Sequence, residues 1–150
     1  MPINNIFSDP VILKILYFLR DRLNDLGQEY HKINLVKGVR DYDSFNVPLT
    51  EFPLLKVYRV SDSFVPNCNK VISFVKVDYC LSYPQNENLS SVCNNITKYI
   101  HRVINRLDTE INLTVDKGAS RQGGYQILSN SNSQSVYAVI SYTFTITEGT

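Results

Sequence analysis

Tryptophan is absent from this chain of 150 residues, and histidine (two), cysteine (three) and methionine (one) are scarce. Each scarcity removes a class of chemistry. A Ser-His-Asp or Cys-His centre needs a histidine, and only His31 and His101 are present. His31 falls in an expected strand near Glu29, and His101 lies one step from an apolar helical stripe. Neither stands beside a Ser or Cys in a recognised nucleophile motif. Cys68, Cys80 and Cys93 are odd in number and show no CxxC or Cys/His ligand spacing, which argues against zinc and for free thiols in a reducing compartment.

Charge of one sign is also missing. Fifteen basic and fourteen acidic residues leave a net charge of +1, without the excess that phosphate-tracking proteins carry. Lys98, His101, Arg102 and Arg106 gather on one expected helix beside Asp108 and Glu110, as on a solvated face. Asp41, Asp43 and Asp62 are scattered through loops rather than fixed in a metal-nuclease pattern. Gly118, Gly123 and Gly124 lack the strand–loop–helix order and the Lys-Ser/Thr of a phosphate loop. Asn88, Asn95 and Asn112 begin sequons, but two of them start on or in a helix, and they read as chance. No apolar run approaches membrane-spanning length and no signal-peptide pattern is seen, so a protein with no membrane contact is expected. Neither a cofactor nor a metal is expected, and the chain does not read as an enzyme.

What is present is patterning. Val136, Ala138, Ile140, Tyr142, Phe144 and Ile146 alternate with Ser135, Tyr137, Val139, Ser141, Thr143, Thr145 and Thr147. A period of two over that length is a strand with one face on a core. Its other face carries hydroxyls where charges are usual, which suggests a lumen or another subunit. A first helix spans 10–26: Ser8 or Asp9 caps it, Pro10 suits its first position, and Gly27 is expected to stop it. A short strand is expected over 30–36 and another over 54–60. A long one covers 70–83 and is ended by Pro84, with Val71, Ser73, Val75, Val77, Tyr79 and Leu81 on one face. A second helix over 89–107, capped by Asn86 or Asn88, carries the stripe Leu89, Val92, Cys93, Ile96, Ile100, Val103, Ile104 and Leu107. Residues 125–129 and 135–147 form a hairpin around 130–133. The expected class is α+β in one domain over 1–150: a mainly antiparallel sheet of four to five strands, packed on one face by two amphipathic helices.

Two polar segments stand out as candidate assembly loops. The first, 37–52, keeps aromatic residues without a clean period and offers Arg40, Asp41, Tyr42 and Phe45. The second, 115–124, is rich in glycine and leads into a strand, offering Arg121, Gln122 and Tyr125; Arg121 suits a partner's carboxylate. Long loops of this kind are often contact surfaces.

The order of elements resembles the tail terminator family of long-tailed bacteriophages over nearly the full chain. The pieces that carry the likeness are the helix at 10–26, the loop through 37–52 and the strand opened by Phe52-Pro53-Leu54-Leu55-Lys56-Val57-Tyr58. The strand 70–83, the helix 89–107 and the finish Ile140-Ser141-Tyr142-Thr143-Phe144 complete it. The resemblance implies a structural virion protein in the tail or neck, assembled in the host cytoplasm. It implies a homo-oligomeric ring, a hexamer, that caps the tail tube protein, ends tail polymerisation and meets a head-completion or neck protein. A sheath contact follows if the tail is contractile. DNA would pass the lumen without sequence-specific binding, with sheets toward the lumen and helices outward. The chain's Ser/Thr-rich last strand departs from a strongly acidic lumen. Another head–tail connector shares this layout, and a small nucleic-acid-binding or regulatory domain is the alternative from another class.

Overall fold

In the computed structural model the described residues are 9–43, 47–84, 88–116, 122–129 and 135–149. Helix α1 (Pro10–His31) begins where the sequence places it: the Asp9 carboxylate accepts hydrogen bonds from the Val11 and Ile12 N–H groups at 3.1 and 3.4 Å. Pro10, which has no N–H to leave unpaired, opens the first turn. Ile12, Ile15, Leu16, Leu19 and Leu23 form its buried face. Ser8 lies outside the described residues.

Gly27 does not end this helix. The chain stays helical to His31, and Lys32 takes the left-handed turn at φ 61°, its N–H reaching the Gly27 carbonyl. Gly27 serves another need, because a Cβ there would stand 2.4 Å from the Ile33 carbonyl oxygen and 2.8 Å from Leu35 Cγ. The chain returning from the helix crosses directly over the glycine. The strand expected at 30–36 is therefore not formed. Tyr30 and His31 belong to α1, and Leu35 and Val36 are buried as a connector, with the Val36 N–H held by Asn24 Oδ1 at 2.8 Å. Burial there does not alternate: residues 30–34 are exposed, and only the adjacent Leu35 and Val36 enter the core.

The first strand, β1 (Gly38–Arg40), runs parallel to β2 (Leu54–Phe64), and every other pairing in the sheet is antiparallel. Strand β3 (Lys70–Pro84) pairs with β2 on one side and with β6 (Ser135–Gly149) on the other. The far edge of β6 is shared by β5 (Gln122–Ser129), beside residues 136–143, and by the two-residue β4 (Thr114–Val115), beside 146–147. The fold is α+β with a mixed, largely antiparallel six-stranded sheet. Strand β4 lay below the reach of periodicity, since two residues carry no period. Strand β2 runs beyond residue 60, past a register shift between Arg59 and Ser61.

Helix α2 (Leu89–Ile104) starts at Asn88, whose side chain accepts the Ser91 N–H at 3.3 Å. It stops sooner than the apolar stripe does: the chain turns at 105–106 and re-forms one helical turn, α3 (Leu107–Glu110). Leu107 still reaches the core at 0% exposure, which is why the stripe reads as one helix in sequence. Helix α1 lies over β2 and β1, and α2 lies over β6 and β5. Between them and the sheet sit Val57, Val75, Val77, Tyr79, Ile140 and Phe144, all buried. Among the described residues no helix is long and apolar enough to cross a membrane.

Candidate assembly surfaces

Strand order places the two candidate segments on opposite sides of the molecule. Strand β1 is one lateral edge of the sheet, and β5 lies at the other. Past β1 the chain exposes Tyr42 (56%), with Asp41 half-buried beside it. Arg40 is turned inward: Nη2 donates to both Glu51 carboxylate oxygens at 2.8 Å, and Nη1 donates to the Val39 carbonyl at 2.7 Å. It fastens the loop to the turn at Leu49–Glu51. On the other edge Tyr125 is 41% exposed and donates its hydroxyl to Ser90 Oγ on α2 at 3.1 Å. Gln122 opens β5, its backbone paired with Thr143. Phe45 and Arg121 lie outside the described residues.

The face of the sheet turned away from the helices holds a polar group that periodicity missed. The register sets Lys56 opposite Asp78 and Asp78 opposite Ser141, in one row across three strands. Asp78 is 4% exposed and accepts the Tyr58 hydroxyl on Oδ2 and the Ser141 hydroxyl on Oδ1, each at 2.7 Å. Lys56, 8% exposed, donates to Asp43 Oδ1 at 3.1 Å and so ties the loop to the sheet. Burial, with the Asp78 carboxylate next in effect, pushes the Tyr58 hydroxyl well above the ordinary phenol range. Burial likewise pushes the Cys80 thiol, on the same face, up to about 11. The hydroxyls of β6 are thus partly explained from within: Ser141 serves Asp78, and Thr145 is itself buried. The signal was present in sequence as Lys56 and Asp78 inside otherwise apolar strands, but their pairing needed the register.

At the other end of the sheet Arg59 draws carboxylates from three elements. It contacts Asp9 through Nε, Glu148 through Nη1 at 2.6 Å, and Asp62 through Nη1 at 3.4 Å. Burial alone would raise the Asp9 carboxyl, but the Arg59 guanidinium and the two capped N–H groups outweigh it and hold it below its usual range. The Asp9 hydrogen bond, with Glu148 behind it, lifts Arg59 further above an already high value.

Both histidines are engaged by tyrosines. His31 Nε2 is 3.0 Å from the Tyr99 hydroxyl, and His101 Nδ1 meets the Tyr142 hydroxyl. A cavity of about 250 Å³ lies beside His31, lined by Ile33, Leu35, Pro53, Leu81 and Tyr99 among others. Its walls are mostly apolar. Among the described residues no three His, Cys, Asp or Glu side chains group closely enough to hold a metal ion. Cys68 is exposed while Cys80 and Cys93 are buried, and all three are free thiols. No family model and no curated protein matches the chain.

Proposed function

We propose that this protein is a structural virion component of the tail terminator type, a head-to-tail ring that caps the tail tube and joins it to the neck. One observation carries the reading. Tyr42 and Tyr125, both exposed, follow or lie within the strands at opposite lateral edges of the sheet. A closed ring of identical subunits needs two unlike patches on each copy, set apart so that a constant rotation closes the circle. Tyrosine suits such patches because it adds rigid apolar area with a polar tip. The two helices occupy one face, which leaves the edges and the hydroxyl-bearing face to meet neighbours, tube, neck protein and passing DNA.

The test is negative-stain imaging of the purified chain together with gold labelling of the polypeptide in a tailed particle. Rings, and label confined to the junction of head and tail, support the reading. Label in the head shell or along the tail shaft contradicts it, and label at the junction without rings favours another connector of the same layout.

A further inference from the structure

The sheet ends in two open edges that stand at the same height. One row runs straight across it: Val39 on β1 pairs with Leu55, Leu55 with Tyr79, Tyr79 with Ile140, and Ile140 with Tyr125 on β5. The rows on either side run likewise from Gly38 to Gln126 and from Arg40 to Gly124. Among the described residues nothing pairs with the outer edge of β1 or of β5. The two strands point in opposite directions, since β1 is parallel to β2 and three antiparallel steps then lead to β5. The unpaired N–H and C=O groups of such an edge are a template for a further strand.

Resting on the ring reading, we infer that β5 of one subunit pairs antiparallel with β1 of the next, so that the sheet continues from copy to copy. A rotation about an axis along the strands keeps every strand's direction and height. It therefore brings Gly124–Gln126 beside the next copy's Gly38–Arg40 in the antiparallel sense, with no slip along the axis. The side chains of that register also match. Tyr125 is 41% exposed and reaches Ser90 on α2, and Val39 packs against the core, so both lie on the helix side. Across the junction they form an aromatic and β-branched pair, a favourable combination in sheets. On the opposite face Gly124 meets Arg40 and Gln126 meets Gly38, so each long side chain lies against a glycine. Gly124 has the room, because a Cβ there would meet no atom within 4 Å in the single subunit. A two-fold pairing of β5 with another β5 would leave β1 open and use none of this match.

Disulfide trapping tests it, because residues opposed in an antiparallel pair have Cα atoms about 4.5–5.5 Å apart, within reach of a disulfide. Cys68→Ser first removes the exposed thiol. In that background the double variant Val39→Cys/Tyr125→Cys should give a ladder of covalent oligomers on oxidation, alone or on tail tubes, and each single variant should give none. Rings that form without the ladder overturn the pairing and leave the ring reading standing. Covalent dimers from Tyr125→Cys alone also overturn it, since β5 would then face β5. Absence of rings, both alone and with tail tubes, removes the ring reading and the pairing with it. If the double variant does not assemble, amide hydrogen exchange in wild-type rings decides. The edge-facing amides of residues 38–40 and 124–126 should then exchange at least roughly tenfold more slowly in the ring than in the monomer. Equal exchange at either edge overturns the pairing.

Discussion

The Asp9 carboxylate caps α1 through Oδ1 and accepts on both oxygens from the guanidinium of Arg59 on β2, fifty residues away. One side chain therefore sets both where the helix begins and where it sits on the sheet. Asp9→Ala removes the cap and leaves Arg59 to Glu148 and Asp62. The expected loss is about 1–2 kcal/mol, as for other capping residues, read by urea denaturation. Asp9→Asn keeps an acceptor for the helix and costs less.

The same residue gives an acid signature. Its carboxyl lies below the usual value in the folded chain, so this stabilisation is complete above the unfolded value near 3.8 and is lost as pH falls through the folded one. Between about pH 4 and pH 2, wild type should lose stability more steeply than Asp9→Asn. Parallel curves for the two proteins would show that the pair with Arg59 carries no linkage.

Gly27→Ala should destabilise. In an exposed helix interior that change stabilises by roughly 0.5–1 kcal/mol. Here the new Cβ meets the Ile33 carbonyl oxygen at 2.4 Å, a backbone atom that cannot move without shifting the crossing chain. A cost of about 1–3 kcal/mol is expected, as for overpacked cores. A rise in melting temperature would contradict the close crossing.

Gly27 also shows where sequence stops being informative. A glycine at the end of an apolar stripe signals a helix stop, and the same residue type is required where another segment crosses at short range. The choice between them depends on residues 33–35 folding back, which no local pattern states. The long strands and both apolar stripes were legible because each repeats its period many times. Strand β4 and the Lys56–Asp78–Ser141 row were not, since one has two residues and the other exists only once three strands are in register. Of the candidate contacts, Tyr42 and Tyr125 proved exposed, whereas Arg40 is held by Glu51.

Asp78→Ala should be among the costliest polar substitutions. It strands the Tyr58 and Ser141 hydroxyls and leaves the buried Lys56 ammonium with less negative charge around it. Losing two hydrogen bonds to a buried carboxylate costs about 3 kcal/mol, measurable by denaturation. Tyr58→Phe with Ser141→Ala should cost at least as much as Asp78→Ala, because it leaves the buried carboxylate without its two hydroxyl donors.

The thiols should separate into one fast and two slow. Cys68 is exposed and reacts with a disulfide reagent at pH 8, while Cys80 and Cys93 react only on unfolding. Burial raises the Cys80 thiol to about 11 from an ordinary 9.0, so the folded chain holds that proton when the unfolded chain has lost it. Stability should then fall as pH rises through 9 toward 11, and Cys80→Ala should flatten part of that fall. Tyr58, raised in the same direction, steepens the fall at the upper end.

A head-to-tail ring built from unlike edges is tested most directly by native mass measurement of two edge variants, Tyr42→Glu and Tyr125→Glu, alone and mixed. Wild type should assemble toward six times 17.2 kDa, and each variant alone should be monomeric. An equimolar mixture should give a dimer, since each partner keeps one intact edge. A wild type that stays monomeric on its own and with tail tubes, or closes as a two-fold dimer untouched by either substitution, would contradict the ring.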